Sequence, residues 1–305
     1  MVRGDQPSVN RQRVENSETS PIVPWRAVLH DGTVSELEDD TRLEPIGRGR
    51  FRTRITDRWS IGSAPNGGYL AVITTKSIAA TLPHPHPFSV TTHFLSTARL
   101  GTAEVQVETV RSGKGHSTAE ARVFQEGKEI VRTLAIFGDL ATLEGPTHVT
   151  VEPPDLPPPD ACERGRAGPT TQLSIADRVE VAMRPGSVSW MPRPDGQPPT
   201  HSDRAVLDGW VRLRDGTEPT PLSLVFFADS FPPPVLNLSL VRTPWVPTLE
   251  LTVHVRAIPA PGYLAARFTT RALMGGYLEE DGELWDSTGK LVALSRQLAR
   301  VQRAG

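Results

Sequence analysis

The chain has 305 residues, 37% of them hydrophobic and 22% charged, which is ordinary for a globular protein and enough for two domains. A formal net charge of -2 with both signs intermixed gives no long-range attraction for phosphate backbones, so nucleic acid is not expected as a partner. Cys162 is the single cysteine and excludes an intrachain disulfide framework and a thiolate metal site. A reducing compartment fits this usage.

No part of the sequence is typical of a secretion signal or a membrane span. The opening residues are polar, and no apolar run approaches the roughly 18 residues that a spanning helix needs. The chain ends in Arg303-Ala304-Gly305, which is not a peroxisomal signal. We therefore expect a cytoplasmic protein without a membrane partner.

The first domain is expected over residues 25–140, after a mobile tail at 1–24 that is poor in apolar residues. Short strands are predicted over 28–32, 41–46 and 50–55. A long helix is predicted after the turn Pro65-Asn66-Gly67-Gly68, because apolar residues recur there at helical spacing until Pro83 (Tyr69, Leu70, Val72, Ile73, Ile78 and Leu82). Four antiparallel strands then follow, over 90–95, 104–110, 116–125 and 130–137.

Prolines cluster in residues 141–172 with little periodicity, which predicts a surface linker. The second domain, 173–303, is expected to open with alternating strands over 178–183 and 209–214. Its helix is predicted over 222–231, ended by three consecutive prolines. Strands are then predicted over 249–256, 264–271, 278–286 and 291–301.

The same order of strands and turn glycines thus occurs twice, roughly 160 residues apart, which indicates duplication of a whole domain. The predicted fold class is α+β, a double hotdog: two tandem hotdog domains, each a long helix wrapped by a curved antiparallel sheet. Two such domains in one chain imitate the dimer that single-hotdog proteins form. Further self-association, as a homodimer, is also expected.

Several short motifs resemble those of type-II acyl-CoA thioesterases, in the right order and over about residues 26–303. They are Trp59-Ser60-Ile61-Gly62, Pro65-Asn66-Gly67-Gly68-Tyr69-Leu70-Ala71, Val110-Arg111-Ser112-Gly113, Ala228-Asp229, Pro247-Thr248-Leu249-Glu250 and Leu291-Val292-Ala293-Leu294-Ser295-Arg296-Gln297. The resemblance implies an acyl-CoA thioesterase of lipid and fatty-acid metabolism that uses neither a metal nor another cofactor. It also implies that Asp229, Thr248 and Gln297 hold and activate a water molecule.

The residues themselves are compatible with these roles. Asp229 follows an apolar run, so burial is expected to raise the pKa of its carboxyl toward that of a useful general base. Thr248 and Gln297 can each donate and accept hydrogen bonds and so orient a water molecule. Each also has a plain structural interpretation: Asp229 ends a helix, Thr248 begins a strand, and Gln297 faces outward from an edge. Strand parity instead puts Gln297 on one face with the small residues Ala293 and Ser295.

Further residues are candidates for substrate binding. The amides of Gly67 and Gly68 are placed to form an oxyanion hole at a helix start, although the pair could simply permit a turn. On the oxyanion interpretation, Gly68→Ala is expected to lower turnover with less than about 1 kcal/mol lost in stability. Arg111, near Lys114, is a candidate for the coenzyme A phosphates or an ordinary solvated charge. The acyl chain is expected to contact the aromatic side chains of Phe226, Phe227 and Trp245.

Other activities are less compatible with the sequence. A Gly-x-Ser-x-Gly nucleophile motif is absent, and the position at which a hotdog hydratase would pair His with Asp229 holds Pro234. The tract His84-Pro85-His86-Pro87 lacks cysteine or paired carboxylates nearby, so no metal site is expected. Because the first helix carries Thr74-Thr75-Lys76 where an acid would be needed, one active site per chain is predicted. A non-catalytic acyl-thioester-binding protein, or an accessory protein of a biosynthetic pathway, remains the alternative.

Overall fold

The computed structural model describes residues 34–164, 174–191, 197–241 and 245–301. The predicted tail at 1–24 and the strand predicted at 28–32 lie outside these ranges. In them, the α-helices are α1 (Glu36–Asp40), α2 (Gly67–Ala79) and α3 (Ser223–Phe227). Short 3-10 turns occur at Asp57–Trp59, Leu140–Thr142, Pro159–Ala161, Ser174–Asp177 and Pro234–Asn237.

The strands dominate the molecule. Those in the first half are β1 (Glu44–Gly47), β2 (Arg50–Ile55), β3 (Ser60–Ile61), β4 (Ala64–Pro65), β5 (His86–Phe94), β6 (Gly101–Ser112), β7 (Ser117–Gln125) and β8 (Lys128–Gly138). Those in the second half are β9 (Glu163–Arg164), β10 (Val179–Met183), β11 (Ala205–Leu213), β12 (Thr248–Val255), β13 (Leu264–Thr270), β14 (Leu273–Met274), β15 (Tyr277–Trp285) and β16 (Leu291–Arg300).

One antiparallel sheet runs through both halves in the order β1-β2-β6-β7-β8-β5-β12-β16-β15-β13-β11-β10-β9. The halves join where β5 pairs with β12. Outward from this junction the first half reads β5-β8-β7-β6-β2 and the second reads β12-β16-β15-β13-β11, which is the same topology twice. The predicted duplication and the α+β double-hotdog class are therefore confirmed.

Helix α2 begins where the sequence predicted. Asn66 caps it, because its side-chain oxygen accepts the Tyr69 amide N–H at 2.9 Å. Nearly every residue of α2 is buried, as expected for a helix that is apolar on most of its surface and covered by a sheet. Its first turn packs against the indole ring of Trp59, which stacks on Tyr69 with ring centroids 6.0 Å apart.

The second helix is much shorter than predicted. Helix α3 has 5 residues, whereas the sequence pattern indicated 222–231. After it the chain continues in tighter turns, since the amide of Asp229 donates to the carbonyl of Phe226 and that of Ser230 to Phe227. Branched and aromatic residues are weak helix formers, and the three prolines that follow supply no amide donors. Helix α1 was not predicted, and the strand predicted over 41–46 begins only at Glu44.

The stretch predicted as a linker contributes to the second half of the sheet. Strand β9 lies inside it and pairs with β10, joining Glu163 to Met183. Earlier in the stretch, the carbonyl of Pro157 accepts the indole N–H of Trp210 at 2.8 Å. The proline-rich chain is thus held against the second half by specific contacts. Among the helices of the described ranges, none combines the length and hydropathy needed to cross a bilayer.

Candidate active site

Asp229 lies just after α3 and is held by the first turn of α2, from the other half of the chain. Its Oδ2 accepts the amide N–H of Gly68 at 2.8 Å and the side-chain N–H of Asn66 at 3.0 Å. The same Asn66 nitrogen donates to the backbone carbonyl of Asp229 at 2.8 Å. The carboxylate lies at the N-terminus of α2, a helix of 13 residues, and so also meets the positive end of the helix dipole.

Glycine is required at the point where the two helices meet. A Cβ atom on Gly68 would lie 2.8 Å from the backbone oxygen of Phe226 and 3.1 Å from Cβ of Asp229. One on Gly67 would lie 2.8 Å from Oδ2 of Asp229 and 2.9 Å from the ring of Phe94. The absence of side chains at Gly67 and Gly68 therefore lets the helix start reach the carboxylate.

The surroundings of Asp229 adjust its pKa in two opposing ways. Burial raises the pKa of its carboxyl to about 6, and the hydrogen bonds from Gly68, Asn66 and Gly67 limit the rise by stabilising the charged form. A carboxyl with this pKa is ionised at neutral pH yet basic enough to take a proton from water. The predicted elevation of the pKa is thus found, and its first cause is burial.

Thr248 and Gln297 are brought together across β12 and β16. The hydroxyl of Thr248 donates to Oε1 of Gln297 at 2.8 Å. Gln297 is buried on the inner face of β16, on the side predicted from strand parity. Its Nε2 donates to Oε1 of Glu280 at 2.8 Å, and Glu280 lies directly opposite it on β15. The three side chains form one hydrogen-bonded row across three neighbouring strands.

Glu280 links this row electrostatically to Asp229. Burial raises the pKa of the Glu280 carboxyl well above its usual range, and the negative charge of Asp229 raises it further. Both effects disfavour the ionised form of Glu280. The charge of Asp229 thus acts on a second acid, which is hydrogen-bonded to the Thr248–Gln297 pair.

Sequence reasoning missed Asn66 and Glu280 as members of this site. The sequence around Asn66 predicts only a turn, because the local pattern contains no signal for a hydrogen bond to a residue 163 positions away. Glu280 had a detectable signal: on β15 it alternates with Leu278, Gly282 and Leu284, all of which face inward. A charged residue on the apolar face of a strand is uncommon and indicates a special role.

Two sequence predictions about Gly68 need revision. Its amide N–H donates a hydrogen bond to Asp229. The oxyanion interpretation required this N–H to point at the thioester oxygen instead. The expectation that Gly68→Ala leaves stability nearly unchanged conflicts with the 2.8 Å approach to a backbone oxygen, which cannot move aside as a flexible side chain would. A role for Gly67 and Gly68 in contacting substrate stays a prediction.

The remaining candidate substrate residues lie in different surroundings. Phe226 and Phe227 are fully buried, and Phe226 packs edge-on against Trp59 with ring centroids 5.2 Å apart. Trp245 is 36% exposed. Arg111 is exposed near the end of β6, five strand spacings or about 24 Å along the sheet from the strand of Gln297. Their roles stay predictions.

The histidines of the His-Pro tract have other partners. His84 contacts the hydroxyl of Ser117 at 3.0 Å, and His86 pairs with Asp139 at 3.3 Å. In the part of the chain that the structure describes, no group of three or more His, Cys, Asp or Glu residues is arranged to hold a metal ion.

Comparison with known proteins agrees with this architecture. A family model for the acyl-CoA thioesterase N-terminal domain matches residues 55–138, and one for the acyl-CoA thioesterase C-terminal domain matches residues 153–301. The thioesterase-like protein TwmA of Talaromyces wortmannii is 24% identical, over 88% of this chain and 93% of that protein.

Solved structures extend the likeness. An acyl-CoA thioesterase II, TesB2, of Mycobacterium marinum is 19% identical with a TM-score of 0.67, over 88% of this chain and 99% of that one, and so shares the fold. A candidate thioesterase II from Thermobifida fusca is 33% identical with a TM-score of 0.79, over 88% of this chain and 98% of that one. With both domain models matched in order and a relative this similar over nearly its whole length, the chain belongs to the acyl-CoA thioesterase family.

Proposed function

We propose that the protein hydrolyses acyl-CoA thioesters to a free acid and coenzyme A by direct attack of water. The observation that carries the proposal is the carboxylate of Asp229, which has a pKa of about 6 and acts electrostatically on Glu280, the acid bonded to the Thr248–Gln297 pair. This arrangement provides a proton acceptor and two groups that can orient a water molecule. Membership of the family supports the same reaction class.

In the proposed reaction Asp229 removes a proton from water while the water oxygen bonds to the thioester carbon. The carbonyl π electrons move to oxygen, giving a tetrahedral oxyanion. When the carbonyl re-forms, the carbon–sulfur bond breaks, and the proton held by Asp229 passes to the departing thiolate. The products are a carboxylic acid and the free thiol, and Asp229 returns to its ionised form.

Thr248 and Gln297 act on the water and the oxyanion in this scheme. The Thr248 hydroxyl donates its hydrogen to Gln297, so its lone pairs are available to accept from water. Gln297 uses one Nε2 hydrogen for Glu280, and the second is a donor for the developing oxyanion. Since the Gly68 amide is engaged by Asp229, the α2 terminus serves the base in this proposal.

Finer features of the function are also proposed here. The acyl chain contacts Phe226, Phe227 and Trp245, and Arg111 meets the phosphates of coenzyme A at the far end of the substrate. The protein works in the cytoplasm, in lipid metabolism, as a homodimer. Light scattering of the purified chain tests the last point, since a monomeric mass at micromolar concentration would contradict it.

The central experiment measures thiol release from a series of acyl-CoA esters with a chromogenic thiol reagent. We expect Asp229→Asn to lose at least about 100-fold in kcat, since a general base contributes about 10² to 10⁴ in rate. Thr248→Val and Gln297→Met should lose smaller factors. Asp160→Asn is the matched control, because that carboxyl is 95% exposed and remote from catalysis in the proposal.

The result also decides between hydrolysis and the non-catalytic alternative. An acyl-thioester carrier or a pathway accessory protein would bind acyl-CoA with similar affinity in wild type and Asp229→Asn, and would release no thiol above the background rate. Thiol release that persists in Asp229→Asn would contradict the proposed role of Asp229.

A further inference from the structure

Glu280 is a buried acid for which the proposed reaction has no direct use. It is 3% exposed and faces inward from β15. Its Oε1 accepts the hydrogen bond from Gln297, whereas Oε2 is buried and makes no hydrogen bond with any side chain or backbone group of the described residues. Such a group is costly in a protein interior unless it is neutral or has a function.

We propose that Glu280 is a positioning residue that, in its neutral form, fixes the side-chain amide of Gln297 for the reaction. The inference rests on the proposed function, since it assigns a task within the same site. Glu280 touches Gln297 and is not placed on the reacting atoms, so its effect passes through that amide.

The amide of Gln297 has two orientations of similar shape but opposite hydrogen-bonding character. In the observed one, Nε2 faces Glu280 and Oε1 faces Thr248. The Thr248 hydroxyl must then donate to Gln297, which leaves its lone pairs to accept from water. Turning the amide over would place its N–H groups toward Thr248 and its carbonyl oxygen toward Glu280. Thr248 would then accept where it now donates, and Glu280 would no longer receive a hydrogen bond from Gln297. The carbonyl oxygen of Glu280 favours the first orientation by accepting from Nε2.

The neutral form of Glu280 follows from how donors are divided between the two buried acids. Asp229 receives hydrogen bonds from Gly68, Asn66 and Gly67, whereas Glu280 receives one, from Gln297. Asp281 adds negative charge from the next residue, although Arg296 pairs with it on the other face of the strand at 2.6 Å. Because negative charges on Asp229 and Glu280 would repel each other, the better-solvated acid ionises and Glu280 keeps its proton.

The test compares an isosteric neutral variant with an apolar one. Glu280→Gln retains a neutral acceptor for Gln297 and is expected to keep kcat within about threefold of wild type, whereas Glu280→Met should lower kcat about 10- to 100-fold at little changed KM, the size of loss that misplacement causes. In a Gln297→Met background the Glu280→Met change should have almost no further effect on kcat, because the side chain it orients is gone.

A spectroscopic measurement that does not depend on activity tests the same proposal. Wild type and Asp229→Asn should each show, at neutral pH, the infrared carbonyl band of a buried protonated carboxyl, and Glu280→Gln should lack it. Absence of that band from wild type would overturn the proposal, even where Glu280→Met fails to fold. So would a Glu280→Gln variant as inactive as Asp229→Asn, or a folded Glu280→Met with full activity. If wild type cleaves no acyl-CoA, the proposed function fails, while the infrared result still reports on Glu280.

Discussion

Asp229 combines a strong desolvation with three hydrogen-bond donors, and the balance sets both its basicity and its effect on stability. An acid with a raised folded-state pKa holds its proton in the native state at pH values at which the unfolded chain has already lost it. The free energy of unfolding then falls as the pH rises through the folded pKa, because the carboxyl has to ionise inside the folded protein. Asp229 therefore stabilises the fold less at neutral pH than at acidic pH.

Replacing Asp229 with Asn should change how stability depends on pH. The unfolded pKa is near 3.8 and the folded pKa about 6, so wild type loses stability as pH rises through this window and Asn, which does not titrate, loses none there. We expect the stability of Asp229→Asn relative to wild type to rise by about 2 kcal/mol between about pH 4.5 and about pH 7.5. Urea unfolding of both proteins at the two pH values measures this.

Asp160→Asn provides the control for that measurement, because it makes the same Asp-to-Asn replacement at a side chain that is 95% exposed. If the difference in unfolding free energy between Asp229→Asn and wild type stayed the same at both pH values, that would contradict a raised pKa of the Asp229 carboxyl.

At the scale of elements, the site depends on the contact between the start of α2 and the end of α3. The contact brings Gly68 against the backbone of Phe226 and places its amide on Asp229. A Cβ at this position has to push the two elements apart, and the displacement would lengthen the hydrogen bonds that hold the carboxylate. Stability and catalysis should therefore be lost together.

Gly68→Ala is expected to cost about 1–3 kcal/mol in stability, as overpacking of a core does, and to lower kcat more than KM. Gly115→Ala is the matched control, because a Cβ there meets no atom within 4 Å and its backbone is not in the left-handed region. Thermal unfolding and thiol-release kinetics of the two variants provide the comparison. Unchanged stability in Gly68→Ala would show that the helices can separate without cost.

The predictability of these elements followed the range of the interactions that form them. Strands β5 to β8, β12, β13, β15 and β16 were recognisable from alternation and from turn glycines, which are local signals. The start of α2 was recognisable because the Asn66 cap is also local. The length of α3 could not be predicted, since an apolar run before prolines fits either a helix or tight turns. The bond from Asn66 to Asp229 joins the two halves and leaves no trace in either local pattern.

For the whole molecule, the duplicated halves share a topology but differ in what fills the space under the helix. In the first half, Thr74 of α2, Thr133 of β8 and Thr92 of β5 form a buried row, with hydroxyl separations of 2.7 Å and 2.9 Å. These three hydroxyls form hydrogen bonds with one another, and the row contains no acidic residue. In the second half β12 and β16, the counterparts of β5 and β8, carry Thr248 and Gln297, and the neighbouring strand β15 carries Glu280. A single active site per chain stays a prediction.

The second half contains the three proposed catalytic residues, yet it is incomplete alone. Asp229 takes its donors from Asn66, Gly67 and Gly68, and β12 is covered along one edge by β5. Without the first half, Asp229 would lose these hydrogen bonds and β12 would become an exposed edge. Two copies of the catalytic half cannot supply the same contacts, because its own helix starts with Ser223 rather than a glycine pair.

Dividing the chain between Gly145 and Pro146, in a stretch exposed at every position, tests this dependence. We expect fragment 146–305 alone to show no thiol release above background, and coexpressed fragments 1–145 and 146–305 to copurify and regain hydrolysis, because the β5–β12 pairing and the Gly68–Asp229 bond re-form across the cut. Coexpression with Asp229→Asn in the second fragment controls for contaminating esterases. Full activity in fragment 146–305 alone would contradict the requirement for α2, since no other donors to Asp229 occur among the described residues of that half.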